Sequence, residues 1–254
     1  MKKLHTIKTP SLIILLASIL IFTNCQQYNS PNNNLNEKKV KNETIWNCDI
    51  NTEHKTSIHS IKDFDIDGKL ILWQIFDDKG YKITDCKYEY KNQISIEYKK
   101  VFKPSGELDT ATTSSIFYDK KGKIVSKVIQ SQEGDTVTIL NFTYDNLGNI
   151  LKKVELNPQT NSQIETVYSY QYNNEGNIIE RLINPADNGL YQSKDSLIYK
   201  PSESKVERIF YETYGQVSAV FTYIYNQFGK IIKEYQQDNQ GNVIKKFLYE
   251  YIYW

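Results

Sequence analysis

The sequence predicts an all-β protein: a single antiparallel β-hairpin meander of about fifteen strands, curled or partly closed into a barrel-like sheet. Three observations carry this. A seven-residue phrase recurs at the turns, the turns fall in two interleaved series of near-constant spacing, and several stretches between them alternate as strands do.

The phrase reads aromatic, Asp or Asn, two free positions, Gly, a polar residue, then an aliphatic. Its clearest copies run Tyr118 to Ile124, Tyr144 to Ile150, Tyr172 to Ile178 and Tyr225 to Ile231. The turn residues within them are Asp119 and Gly122, Asp145 and Gly148, Asn173 and Gly176, Asn226 and Gly229. Asp-x-x-Gly suits a type I turn whose last residue enters the left-handed region, which makes a three-residue hairpin loop with a bulge. Glycine reaches that region without a Cβ clash, and the Asp or Asn side chain accepts a hydrogen bond from the backbone two residues on. The residue before the Asp then faces the residue two after the Gly. The predicted pairs are Tyr118/Ile124, Tyr144/Ile150, Tyr172/Ile178 and Tyr225/Ile231, with Phe64/Leu70, Phe102/Leu108 and Tyr211/Val217 in further copies. Each such aromatic–aliphatic pair stabilises the sheet by roughly 0.2–1 kcal/mol.

All eleven glycines fall where a turn would end, and three turns lack one: near Asn92-Gln93, near Asn161, and from Pro201 to Ser204. With these included, each series steps by 25 to 29 residues. About 8 to 10 residues remain between successive turns, a strand of roughly 30 Å. Val217, Ala219, Phe221, Tyr223 and Tyr225 share one face, as do Ile164, Thr166, Tyr168, Tyr170 and Tyr172. No helix is expected after the N-terminus. Sheets beyond about ten strands curl or close because twist accumulates. The twenty tyrosines fit a moderately wet inner surface, each keeping a hydroxyl for water or a partner.

The N-terminus predicts location. Lys2, Lys3 and Lys8 precede an apolar run from Leu12 to Phe22, shorter than the roughly 20 residues a membrane span needs and laid out as a secretory signal. Ile21 to Cys25 resembles the lipobox of a bacterial lipoprotein, which implies cleavage before Cys25 and lipid attachment to it. Residues 1–24 are then a signal peptide, 25–43 a polar, disordered tether, and 44–254 the repeat domain, opening at Thr44-Ile45-Trp46. The expected location is the bacterial cell envelope, anchored to the outer membrane and facing either the periplasm or the exterior.

Charge, cysteine and histidine usage exclude much chemistry. Removing three signal lysines takes 31 basic against 30 acidic residues to 28 against 30, a net charge near −2 with no nucleic-acid footprint. Only Arg181 and Arg208 are arginine, which gives planar anion recognition little to work with. Cys48 and Cys86 remain after Cys25; an oxidising compartment allows a disulfide between them, with two buried thiols as the alternative. His54 and His59 are separated by an odd number and would face opposite sides of one strand, so no metal site is expected. Asp65 and Asp67 match the turn phrase better than a calcium loop. No catalytic arrangement and no cofactor are expected, so the chain reads as a non-enzyme.

The phrase resembles the YD repeats of the RHS family, over about residues 64–254 and most closely over 118–241. That resemblance implies β-hairpins winding into a large sheet, and points to short repeat-bearing lipoproteins of Bacteroidetes-like bacteria. The chain departs from the family in carrying Lys or Asn where Arg is common after Gly. It is too short for an enclosing shell, so toxin delivery does not carry over. Two roles follow: a non-catalytic binding or scaffolding lipoprotein with a protein or carbohydrate partner, or an immunity lipoprotein that antagonises a toxin. A membrane barrel is set aside, because Lys152 and Lys153, Glu180 and Arg181, and Lys233 and Glu234 put charge in both phases of their strands.

Overall fold

The computed structural model describes residues 39–185, 193–211 and 215–254. Sixteen strands follow in order: β1 (Val40–Cys48), β2 (Lys55–Phe64), β3 (Leu70–Phe76), β4 (Lys82–Lys91), β5 (Ile94–Phe102), β6 (Leu108–Tyr118), β7 (Ile124–Gln130) and β8 (Thr136–Tyr144). The second half comprises β9 (Ile150–Asn157), β10 (Ser162–Tyr172), β11 (Ile178–Pro185), β12 (Ser193–Lys200), β13 (Lys205–Tyr211), β14 (Val217–Tyr225), β15 (Ile231–Gln237) and β16 (Val243–Tyr253). Each pairs antiparallel with its chain neighbours, and β1 pairs with β16, so the meander is a closed barrel. A single 3-10 turn, Pro201–Glu203, is the only helical element among the described residues. Closure leaves no sheet edge exposed.

The extra strand is β1, which takes in residues 40–43 of the stretch read as tether. It is joined to β2 by a glycine-free turn in which Glu53 holds the left-handed conformation at φ 59°. The other three glycine-free turns also place a left-handed residue: Asn92 at 56°, Asn161 at 52° and Ser204 at 50°.

Turn geometry follows the phrase closely. In the Asp119 turn, Gly122 N–H donates to the Asp119 carbonyl at 3.0 Å and Asp119 N–H to the Lys123 carbonyl at 2.8 Å. The Asp119 carboxylate accepts from the N–H of Lys121 at 2.8 Å and of Lys123 at 2.9 Å. Asn173 and Asn226 repeat the pattern, Asp145 keeps its bond from the Asn149 N–H, and Asp65 repeats both bonds and is thereby a turn residue rather than a cation ligand. All seven predicted pairs are in register, each at a bulge: Tyr118/Ile124, Tyr144/Ile150, Tyr172/Ile178, Tyr225/Ile231, Phe64/Leu70, Phe102/Leu108 and Tyr211/Val217.

A contact between hairpins links successive repeats. The hydroxyls of Tyr90, Tyr144, Tyr170 and Tyr251 donate to the carbonyls of Leu70, Ile124, Ile150 and Ile231 at 2.6–2.9 Å, every time twenty residues back. Each fastens a strand to the first residue of the strand immediately before it, beside a bulge where the ladder is interrupted.

Burial defines the inward face. Its rows include Glu43, Lys62, Trp73 and Cys86 on β1–β4, and Tyr88, Glu97 and Ser114 on β4–β6. Buried positions mix apolar groups (Ile45, Ile116, Val206, Phe247) with charged ones (Lys62, Glu97, Asp195, Arg208, Glu234). Barrels of sixteen strands are wide enough to hold an aqueous interior, and such interiors are polar. The apolar core is correspondingly local: Ile45, Phe247 and Tyr249, flanked by Ile231 and Tyr251.

Candidate functional site

The sequence-predicted residues are structural where they can be seen. Asp119, Gly122, Asp145, Gly148, Asn173, Gly176, Asn226 and Gly229 sit in turns and converge on no common site. Cys25 and Gly189 lie outside the described residues. The disulfide allowed by the sequence does not form: Cys48 and Cys86 are both free, buried thiols. Cys86 shares a row with Glu43 rather than Cys48, through Trp73 and Lys62. Three strand steps of about 4.8 Å lie between β1 and β4, beyond the ~7 Å Cα separation a bridge tolerates. Burial and the nearby Glu97 charge push the Cys86 thiol up to about 11, and burial raises that of Cys48. His59 packs its ring 4.8 Å from that of Phe247, and burial pulls its pKa down to about 4, so it is a neutral imidazole at physiological pH.

The chemistry of the inward wall lies in three polar clusters that sequence reasoning did not assemble. In the first, Glu97 on β5 accepts from the Tyr88 hydroxyl at 2.9 Å and the Ser114 hydroxyl at 3.1 Å, and pairs with Lys127. Burial pushes this carboxyl up, but the Lys127 charge and these hydrogen bonds outweigh it and hold the pKa below the usual range. In the second, Glu234 on β15 accepts from the Tyr249 hydroxyl at 2.6 Å and the Gln236 amide at 2.9 Å. Burial dominates there and raises its pKa.

The third cluster brings together the only two arginines in the chain. Asp195 on β12, 1% exposed, accepts from Arg181 Nε at 3.0 Å and Arg181 Nη2 at 3.1 Å, and from Arg208 Nε. The guanidinium of Arg208 lies 4.6 Å from the Phe210 ring centroid. β11 and β13 flank β12 and turn both arginines toward one carboxylate.

The outward face carries its own ion pairs. They include Lys152–Glu165 at 2.5 Å and Lys205–Glu207 at 2.7 Å, and Glu53 accepts from Lys233 at 2.7 Å and Lys246 at 3.3 Å. A groove of about 460 Å³ opens on this face, lined by Lys205, Glu207, Thr222, Ile224, Tyr235 and Gln237 among others. Strands β13 to β15 position it: Glu207 pairs with Thr222 and Thr222 with Tyr235. The Tyr235 hydroxyl donates to Glu53 at 3.1 Å, and Lys246 Nζ stands 5.3 Å from its ring centroid. The Gln237 amide donates to the Gly241 carbonyl at 3.0 Å, which fixes its orientation. The groove thus offers an amide, a hydroxyl, a carboxylate, an ammonium and an aromatic ring within one concavity. Among the described residues no group of three His, Cys, Asp or Glu is placed to hold a metal ion.

No protein-family model and no curated protein matches the chain. Among solved structures, the fold is similar to that of a porin-like protein from Bacteroides uniformis ATCC 8492, with a TM-score of 0.53 at 10% identity over 85% of this chain and 97% of that one. A complex of TcdB2-TccC3 with Cdc42 also matches, at 10% identity over 74% of this chain and 12% of that one; its TM-score of 0.26 carries no argument. At these identities the likeness concerns the fold alone.

Proposed function

We propose that the protein is a non-catalytic lipoprotein of the bacterial cell envelope, built of RHS/YD-like repeats, which binds carbohydrate in the outer groove. The groove carries the reading: sugar hydroxyls need fixed donors and acceptors beside an aromatic ring, and Gln237, Thr222, Glu207 and Tyr235 supply these on rigid strands. Outward ion pairs such as Lys152–Glu165 favour a barrel in water over one in lipid. The barrel likeness to a Bacteroides porin-like protein is in keeping with an envelope location. The lipobox-like Ile21 to Cys25 supplies the anchor, and the polar residues after Cys25 hold the barrel off the membrane.

The test is a glycan array with the full chain in mild detergent, followed by titration of the strongest glycan into Tyr235→Ala and Gln237→Ala. Glycan binding weakened about tenfold or more by either change supports the groove. An array without hits, or hits untouched by both changes, refutes it. Palmitate labelling that disappears in Cys25→Ala checks the anchor separately.

A further inference from the structure

Among the inward ion pairs, one is unbalanced. Glu43 meets Lys62 at 2.6 Å, Glu97 meets Lys127, and Glu155 meets Lys153 at 3.5 Å, one cation to one anion each. Asp195 instead takes both Arg181 and Arg208, so among the described residues two positive charges face one negative, a net +1. An uncompensated charge away from bulk water is costly, and burial of a triad like this is favourable only when the remaining donors are satisfied. Among the described residues, Arg208 gives only Nε to Asp195, which leaves both of its terminal NH2 groups, while Nη1 of Arg181 has no partner there either. Phe210 covers a face of the Arg208 guanidinium, so the free edge is the one that can donate.

A second group points to the same place. Tyr168 on β10 is 8% exposed, and its hydroxyl has no hydrogen-bond partner among the described residues. Tyr170, its neighbour on the same face, lies opposite Arg181 in the β10–β11 ladder, and Tyr168 lies two pairs further on, opposite Ile183. The Arg181 charge is felt at the Tyr168 hydroxyl.

We propose that Arg181, Arg208 and Tyr168 form a binding site for a small oxoanion, a phosphate, sulfate or carboxylate group, on the inward wall of the barrel. Asp195 is the positioning residue: it holds both guanidinium planes in place and lowers their combined charge to that of one cation. Guanidinium forks match the oxygens of such anions, and the phenol adds a neutral donor. The site is independent of the outer groove and of lipid attachment.

Isothermal titration of the full chain in mild detergent with inorganic phosphate, sulfate and acetate, each against a chloride background, tests this. Saturable one-to-one binding of at least one anion is expected. Tyr168→Phe, which removes only the unpartnered hydroxyl, should weaken it severalfold, and Arg208→Gln about tenfold or more. Asp195→Asn distinguishes the site from a structural network: it frees a second positive charge, so anion affinity should rise even as the barrel melts at lower temperature. No saturable binding of any of the three, unchanged binding in Tyr168→Phe, or weaker binding in folded Asp195→Asn overturns the proposal. Should either triad variant fail to fold, the wild type and Tyr168→Phe decide it.

Discussion

Acid should weaken the barrel through His59. The imidazole sits against Phe247, with Lys245 and Lys62 adding positive charge nearby, and its pKa falls from 6.5 to about 4, chiefly by burial. A histidine whose folded pKa is depressed contributes stability that is fully present above the unfolded value and is lost as pH falls toward the folded one. The window is therefore pH 6.5 down to about 4. Between pH 8 and pH 5 the linkage relation gives a loss of about 2 kcal/mol, an upper figure because the ring is only partly buried. Glu97, Asp145 and Glu207, held below the usual carboxylate range, and Glu234, raised by burial, enter equally in wild type and variant. The experiment is chemical denaturation of wild type and His59→Phe at both pH values. Wild type should lose about 2 kcal/mol more than the variant across that interval. Equal losses, or an imidazole midpoint near 6.5 by NMR in the folded protein, would refute the reasoning.

The bond between tyrosine hydroxyl and carbonyl predicts that Tyr170→Phe, which leaves the Ile150 carbonyl without its 2.8 Å donor, costs about 1 kcal/mol in a urea titration, while the hydroxyl of exposed Tyr81 costs nothing measurable. Asp145 accepts from the Asn149 backbone, the Asn149 amide and the Tyr172 hydroxyl, the last at 2.9 Å from the next repeat. Asp145→Ala should therefore cost about 2 kcal/mol against about 1 for Asp238→Ala, whose contacts are all local; equal losses would deny the link between repeats. Cys48 and Cys86 should react with a thiol reagent at pH 8 only on unfolding, and reductant should leave the melting temperature unchanged.

Hairpin register was legible because the phrase fixes it chemically. Once an Asp side chain takes the backbone N–H groups inside its turn, the flanking aromatic and aliphatic can meet in one way, and all seven such pairs do. Asn92, Asn161 and Ser204 were legible by rhythm alone, since Asn and small polar residues tolerate the left-handed region. Closure was not legible. Its key is β1, whose connection from Asp49 to His54 has neither glycine nor the phrase; Glu53 takes the left-handed position there, stabilised outside the turn by Lys233 and Lys246. Without that turn the count stops at fifteen strands and leaves both edges open.

The polar clusters divide along the same line. Glu97, Ser114 and Lys127 could have been brought together on paper. Phe102/Leu108 sets the β5–β6 ladder, which carries Glu97 opposite Ser114, and Tyr118/Ile124 sets the β6–β7 ladder, which carries Ile116 opposite Lys127. Two phrase-governed turns thus place three polar groups within reach of one another on one face. Asp195 is different. Arg181 and Arg208 stand 27 residues apart, one repeat step, which puts them two strands apart. Whether they share a face with Asp195 depends on two connections, residues 186–192 and Pro201 to Ser204, and neither contains Asp-x-x-Gly. A slip of one residue at either would send one arginine to the opposite face. The arginine triad therefore depends on the register set by two connections that the repeat does not dictate.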